Sequence, residues 1–427
     1  MTRPAPDGAA SRVSAGRLAG DLDTLGRIGR DDDGAVNRVC FTPAEEEAHG
    51  LVAGWMEDLG LDVSRDGFGN TVGTRPGRGG SGRAIAIGSH VDSVPRGGNY
   101  DGAVGVVGAI EAARALAEEG RVLVHDLRVV CFSAEEGARF GAPCLGSKAA
   151  LGLLGPDDAQ RLEDGRGVTL AEALEARGSS VEALGVADWV EGLDAFVELH
   201  IEQGRVLEDA RQPIGVVDWI AGNRRLRMTL RGQTDHSGAT PMPIRRDALV
   251  AAAAVVGDVD RLARRTRGLV GTVGEFTVHP NALTAVPGQV ELSVDVRSAD
   301  VVVQEETIEA VIEAAARHCA ARGVDLEVDD VSSVAPVMLP SWLRRSLTDV
   351  ARRFTPRPRV MTSGAGHDAA IMARRVPAGM VFIPCRGGVS HSPEEWASTD
   401  QIALGTQVLT AGVVELDGML AGAGGRP

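Results

Sequence analysis

The run AIAIGSHVDSVPRGGNYDGAVGVVGAIEAARALAEE, residues 84–119, decides the fold. Its first residues, Ala84–Ile87, are short, apolar and partly β-branched, the pattern of a strand buried on both faces. A Gly-Ser-His-Val-Asp segment follows, and from Gly102 to Glu119 apolar residues recur at the spacing of an amphipathic helix. Strand, loop and helix in that order are one unit of an α/β domain. The strand style returns at Leu127–Phe132, Ala195–Leu199 and Met380–Ile383. Pro43–Gly60 reads as another helix, with Glu45–Glu47 in its first turn, where the helix dipole favours negative charge. The expectation is a mostly parallel sheet flanked by helices.

From about Pro213 the texture changes. Arg224–Arg231 (RRLRMTLR) and Val290–Val296 (VELSVDV) alternate polar with apolar, as strands covered on one face do in an antiparallel sheet. Helical patterns at Asp247–Arg264 and Val303–Arg322 accompany them. After about Asp330 the buried-strand style resumes. A chain of 427 residues is long for one core. The economical reading is an α/β domain over residues 18–212 and 329–427, interrupted by an α+β domain over 213–328. Residues 1–17, rich in Ala, Gly and Arg without an apolar run, read as a disordered leader rather than a signal peptide.

Composition excludes some functions. Aromatics are only 3% and the net charge is −15, which argues against base-stacking surfaces and non-specific nucleic-acid binding. Five scattered cysteines form no CxxC pair, so neither a disulfide framework nor a thiolate metal site is indicated, and a cytoplasmic setting is expected. No run approaches the ~20 apolar residues of a membrane span.

Ligands of open α/β sheets bind beyond the carboxyl ends of the strands. Four such ends each deliver a chemically active group: His90 and Asp92, the doublet Glu135-Glu136, His200 with Gln203 just after it, and His391. Asp101 stands immediately before a helix, where it can be both cap and ligand. Any one of these is more readily a satisfied histidine, a cap or a solvated carboxylate; their convergence on one sheet edge is what singles them out. Imidazoles and carboxylates without thiolates suit zinc, manganese, cobalt or nickel in a hydrolytic site. His49, His125 and His318 read as ordinary residues in helical or surface contexts.

The segments GSHVDSVPRGGNYDG, SAEEGARFG, ELHIEQG, DHSGATPM, RRDAL, DVRSAD, SGAGHDAA and GVSHSPEEW, in this order, resemble one branch of the dinuclear metallo-aminoacylase and carboxypeptidase superfamily. That branch holds N-carbamoyl-L-amino-acid hydrolases, allantoate amidohydrolases and bacterial β-ureidopropionases. The resemblance implies two divalent ions, zinc foremost, bridged by Asp101. His90 and His200 would hold one ion, and Glu136 and His391 the other. Glu135 would be the general base for the bridging water, and Asp92 would orient His90. The inserted domain would be a lid and homodimer interface carrying His236, which would stabilise the oxyanion. Arg297 would clamp a substrate carboxylate, with Gln203, Gly364 in the turn Ser363–Asp368, Asn223 and Thr284 as further substrate contacts.

Three positions depart from the family pattern. Ser237 stands where Ala is usual after the histidine, Asn223 where Gln is usual, and Thr284 where a substrate-binding Asn is usual. The last two leave the chemistry intact but loosen the transfer of a particular substrate. The expected activity is hydrolysis of a linear amide C–N bond in a small carboxylated ureido compound. The alternatives are an aminoacylase, dipeptidase or biosynthetic deacylase, or a non-catalytic metal-binding scaffold. From the residues alone, Arg297 is as readily a strand-end salt bridge, Ser363–Asp368 a tight loop capping the next helix, and His367 structural.

Overall fold

A computed structural model describes residues 8–422. Along the chain the strands are β1 Asp62–Arg65, β2 Thr71–Arg75, β3 Ala84–His90, β4 Asp126–Phe132, β5 Leu193–Ile201, β6 Gly215–Ile220, β7 Gly222–Arg231, β8 Asp235–His236, β9 Leu269–Thr272, β10 Phe276–His279, β11 Ala285–Val286, β12 Gln289–Ser298, β13 Asp325–Val334, β14 Val337–Met338, β15 Arg359–Ser363 and β16 Ala378–Ile383. The described residues divide into two compact units, residues 8–218 with 339–422, and residues 219–338.

In the first unit the four central strands run parallel in the order β4-β3-β5-β16, with antiparallel strands β2 and β1 on one side and β6 on the other. Every residue of β3, β5 and β16 is buried, as apolar strands covered on both faces must be. The helix Ala103–Glu119 was expected to be amphipathic. Instead it is buried on nearly all sides, because the sheet covers one face and the helices Ala15–Arg27 and Thr399–Gly422 cover the rest.

The expected disordered leader is corrected for residues 8–17; residues 1–7 lie outside the described part. Gly8–Arg12 forms a short helical turn with Ala9 and Ala10 buried. Ser14 caps the next helix, its hydroxyl accepting from the Arg17 N–H. Arg17 then donates to both oxygens of fully buried Glu111, at 2.6 and 2.9 Å. A planar fork meeting a carboxylate this way is a strong anchor, one that composition could not reveal.

The second unit is an antiparallel sheet in the order β10-β12-β7-β13, with β9 also pairing with β12. Strand β12 alternates intermediate and buried residues along its whole length, the period-two pattern read from the sequence. Helices Ala248–Arg265 and Val301–Ala320 share its core. The unit boundaries differ from the expected 213 and 328. Strand β6 bonds to β16 at Val216 and Gly215, so residues up to 218 join the large sheet. Strand β13 pairs along β7, so its last residues stay with the small one. All five cysteines are buried and free, and among the described residues no helix is long and apolar enough to cross a membrane.

Candidate metal centre

The parallel strands bring their carboxyl ends level: His90 is in register with Phe132 on β4, and His200 with Phe382 on β16. His90 and His200 therefore project at one rim, with the loop bearing Glu135 and Glu136 leaving β4 and the loop bearing His391 following β16. Asp101 comes to the same point just ahead of the buried helix. Gly102 makes this approach possible. Its φ is +63°, and a Cβ there would sit 2.4 Å from the His90 ring, so glycine is required both by conformation and by space.

Asp101 divides its two oxygens. Oδ1 lies 3.1 Å from His200 Nε2 and 3.7 Å from His90 Nε2. Oδ2 lies 3.4 Å from His391 Nε2, which is itself 3.2 Å from Glu136 Oε2. His90, Asp101 and His200 form one cluster whose ligand atoms lie within 4.8 Å of one another; Asp101, Glu136 and His391 form another.

The donor set fits a cation. His90 Nδ1 lies 3.1 Å from the carbonyl oxygen of Asp92, and His200 Nδ1 lies 2.9 Å from that of Ile201. A carbonyl can only accept, so each Nδ1 carries a proton, and in the neutral ring Nε2 is left with a lone pair. The Gly102 N–H donating to His200 Nε2 at 3.2 Å agrees. Both lone pairs then face Asp101 Oδ1, an acceptor–acceptor contact that a positive charge between them relieves.

The carboxylates differ in proton affinity. With no cation between Asp101 and the rings, protons on the rings take its place: burial pushes Asp101 up, but hydrogen bonds from protonated His200 and His391 prevail and hold it well below the ordinary carboxylate range. Burial, reinforced by the charges of Asp368, Glu136 and Asp92, pushes Glu135 well above that range despite His90. Glu135 Oε2 lies 3.8 Å from His90 Nε2. Hydrogen bonds to Asp101 and Glu136 raise His391 to about 10.

Asp92 was expected to orient His90. The His90 Nδ1 faces both groups of Asp92, the backbone carbonyl at 3.1 Å and the carboxylate Oδ1 at 3.5 Å. The Asp92 side chain also grips the acidic doublet: its oxygens accept the backbone N–H groups of Glu135 and Glu136 at 3.0 and 3.1 Å. Three residues at the rim hold left-handed backbone without being glycine, Ala134, Gln203 and His391, with φ of +57°, +58° and +57°. Such conformations cost about 1–3 kcal/mol each and gather where a fold is aimed at chemistry. Gln203 Nε2 donates to Asp101 Oδ2 at 2.6 Å. Its Oε1 is buried with no partner among the described residues.

Sequence reasoning missed a supporting layer. Glu395 accepts the backbone N–H groups of Tyr100 and Asp101 at 2.7 and 3.0 Å, while Ser390 Oγ lies between Glu395 and Asp101 Oδ2. Glu198 is occupied by the Ser89 hydroxyl and the Ala369 N–H, so it buttresses His200 from behind. His367 packs edge-on against His200, 4.6 Å between centroids, and bonds to Ser363. Glu395 belongs to the Pro-Glu-Glu-Trp run quoted above, which was its only signal. His49 lies on the helix Pro43–Asp58, as a helical context implies, and both it and His125 are buried, paired with Thr71 and Asp417. A groove of about 830 Å³ elsewhere in this unit, bordered by Phe41, Arg65 and Arg177, offers no histidine, and its Glu46 is committed to the two arginines.

The remaining candidates lie in the second unit, apart from Gly364, which is exposed after β15. His236 Nδ1 accepts the backbone N–H groups of Gly238 and Ala239, both at 3.1 Å. That places the imidazole proton on Nε2, making the exposed edge of the ring a hydrogen-bond donor. Thr284 is its neighbour on the β8–β11 ribbon, where the Thr284 carbonyl accepts from Ser237. Asn223 stands opposite Arg297 on β7 and β12, and its Oδ1 accepts from Ser332. Arg297 forks onto Asp295 at 3.2 and 3.1 Å, the strand-end pairing that the residues alone allowed.

Comparison with known proteins follows the same lines. The profile of peptidase family M20/M25/M40 matches residues 86–415. The chain is similar to an N-carbamoyl-L-amino acid amidohydrolase from Geobacillus stearothermophilus, with 38% identity over 93% of this chain and 97% of that one. It is also similar to the allantoate amidohydrolase of Bacillus subtilis (strain 168), with 35% identity over 91% and 94%. Among solved structures, an amidase of the hydantoinase/carbamoylase family from Burkholderia multivorans superposes with a TM-score of 0.88 at 35% identity, covering 94% of this chain and 97% of that one.

Proposed function

The chain belongs to peptidase family M20/M25/M40, and on that footing we propose that it is a metal-dependent amidohydrolase cleaving the linear amide C–N bond of an N-carbamoyl-L-amino acid or a similar ureido acid. The observation that carries the reading is the division of Asp101 between two ligand clusters. His90 and His200 would hold one divalent cation with Asp101, and Glu136 and His391 would hold a second; zinc is the first choice, and manganese, cobalt or nickel suit the same donors. When bound, the pair polarises the scissile carbonyl and acidifies the attacking water.

The chain's own groups do the rest. Glu135, buried at the rim with a raised proton affinity, takes a proton from the attacking water and returns it to the leaving nitrogen. His236, protonated on Nε2, donates to the negative charge that develops on the carbonyl oxygen. The unpartnered Oε1 of Gln203 accepts an N–H of the ureido group. Arg297 exchanges Asp295 for the substrate carboxylate, a task suited to a planar fork, with Asn223, Thr284 and Gly364 lining the specificity end. The second unit serves as lid and homodimer surface, and the enzyme works in the cytoplasm on a small carboxylated substrate, without nucleic-acid or membrane partners. The names of the relatives support this substrate class.

The test is a substrate panel with the protein loaded with zinc, manganese, cobalt or nickel. Ammonia release from N-carbamoyl-L-amino acids and allantoate is expected, against little amine release from N-acetyl amino acids and dipeptides. Turnover confined to dipeptides would overturn the substrate class. E135Q is expected to retain metal and lose ~10²–10⁴ in kcat; parental turnover in E135Q removes it as the base.

A further inference from the structure

The general base has one side-chain neighbour that nothing above employs. Cys144 Sγ lies 3.2 Å from Glu135 Oε1, and the Cys144 N–H donates to the Glu135 carbonyl at 2.7 Å. Next to it, the Leu145 N–H donates to the carbonyl of Ala134. The backbone is left-handed on both flanks of this grip, at Ala134 and at Cys144, with φ of +57° and +56°. Cys144 is 4% exposed and opens the short helix Leu145–Ala150. Glu135 is thus held at its backbone by Asp92 and Cys144, while the thiol reaches the carboxyl group itself.

We infer that Cys144 is a positioning residue for the general base: its S–H donates to Glu135 Oε1 and leaves Oε2, the oxygen nearer His90, turned toward the attacking water. With Glu135 ionised, or with its proton on Oε2, Oε1 can only accept, so the thiol is the donor. A carboxyl group on a two-carbon stem otherwise swings among rotamers, and one hydrogen bond on the idle oxygen selects the productive one. Sulfur suits this place. It is a weaker donor than a hydroxyl, so it orients the carboxylate while withdrawing less of the basicity that proton transfer needs.

The inference rests on Glu135 being the base, and its test separates the two claims. In the metal-free protein, the S–H stretching band of Cys144, identified by its loss in C144A, is expected at the hydrogen-bonded end of the thiol range. It should move to the free-thiol end in E135A. An unmoved band overturns the inference whatever the kinetics. In the loaded enzyme, C144A keeps the left-handed backbone no worse than cysteine does, and kcat is expected to fall about tenfold with KM within about twofold of the parent. C144S restores a donor and recovers most of that loss. Full kcat in C144A, a loss appearing in KM alone, or C144S no better than C144A each overturns the positioning role. Should E135A itself turn over normally, the base assignment fails instead, and the band shift still reports the contact.

Discussion

Replacing Asp92 by asparagine is the most demanding test of how the rim is assembled. Asp92 is 1% exposed and accepts two backbone N–H groups, from Glu135 at 3.0 Å and Glu136 at 3.1 Å, one on each oxygen. Hydrogen bonds to a charged group contribute ~1.5–3 kcal/mol each, so the pair holds the doublet with ~3–6 kcal/mol. Asparagine keeps one neutral acceptor, worth ~1 kcal/mol, and turns an amide N–H₂ toward the other donor, leaving a buried N–H unpaired. D92N is therefore expected to lower the unfolding free energy of the first unit by about 3 kcal/mol. The measurement is urea unfolding with chelator present, so that weakened metal binding does not enter. Tryptophan fluorescence is the probe, because Trp55, Trp189, Trp342 and Trp396 lie in the first unit and only Trp219 in the second. A D92N transition within about 0.5 kcal/mol of the parent, smaller than a single typical hydrogen bond, would refute the clamp.

Removing metal with chelator should abolish turnover, and readdition should restore it. Metal at 1,000 times its Kd should stabilise the folded chain by about 4 kcal/mol, and a melting temperature indifferent to chelator contradicts this. E395A should loosen the Asp101 loop and weaken metal binding ~10–100-fold in a competitive titration, with E395Q nearly normal because its remaining oxygen still accepts both N–H groups; equal affinities for all three would sink the role. R297K should raise KM for carboxylated substrates with little change in kcat, since a point charge cannot reproduce the fork; parental kinetics remove Arg297 from the site. Burial lowers His49 from 6.5 to about 3. Below pH 6.5 the unfolded chain gains a proton that the folded ring refuses, so stability is full above pH 6.5 and is lost as pH falls toward 3, at up to ~1.4 kcal/mol per pH unit. H49Q should lack that slope over the window, and equal slopes would contradict it. Glu45, raised to about 7 mainly by burial, contributes a slope of opposite sign and lies 3.8 Å from the His49 ring, so the two proteins are compared in an E45Q background, where that slope is gone.

The sequence by itself determined the type of fold and the candidate rim. Period-two and apolar runs depend on which faces a strand buries, a local property, so the parallel centre and the antiparallel second sheet were both legible from Ala84–Ile87 and Val290–Val296. Residues just past strand ends share one edge of a parallel sheet by topology alone. For that reason His90, Glu135, Glu136, His200 and His391 could be named before any coordinates. What only the tertiary structure decided were contacts between segments far apart in the chain. Arg17 reaching Glu111, Glu395 holding the Asp101 backbone, and Cys144 touching Glu135 leave no periodic trace, because each depends on how loops fold back rather than on local spacing. The same holds for the Asp92 clamp and for the tautomers of His90, His200 and His236. A ring's proton follows whichever carbonyl or N–H the packed backbone presents to it, and that is decided only when the chain has closed around it.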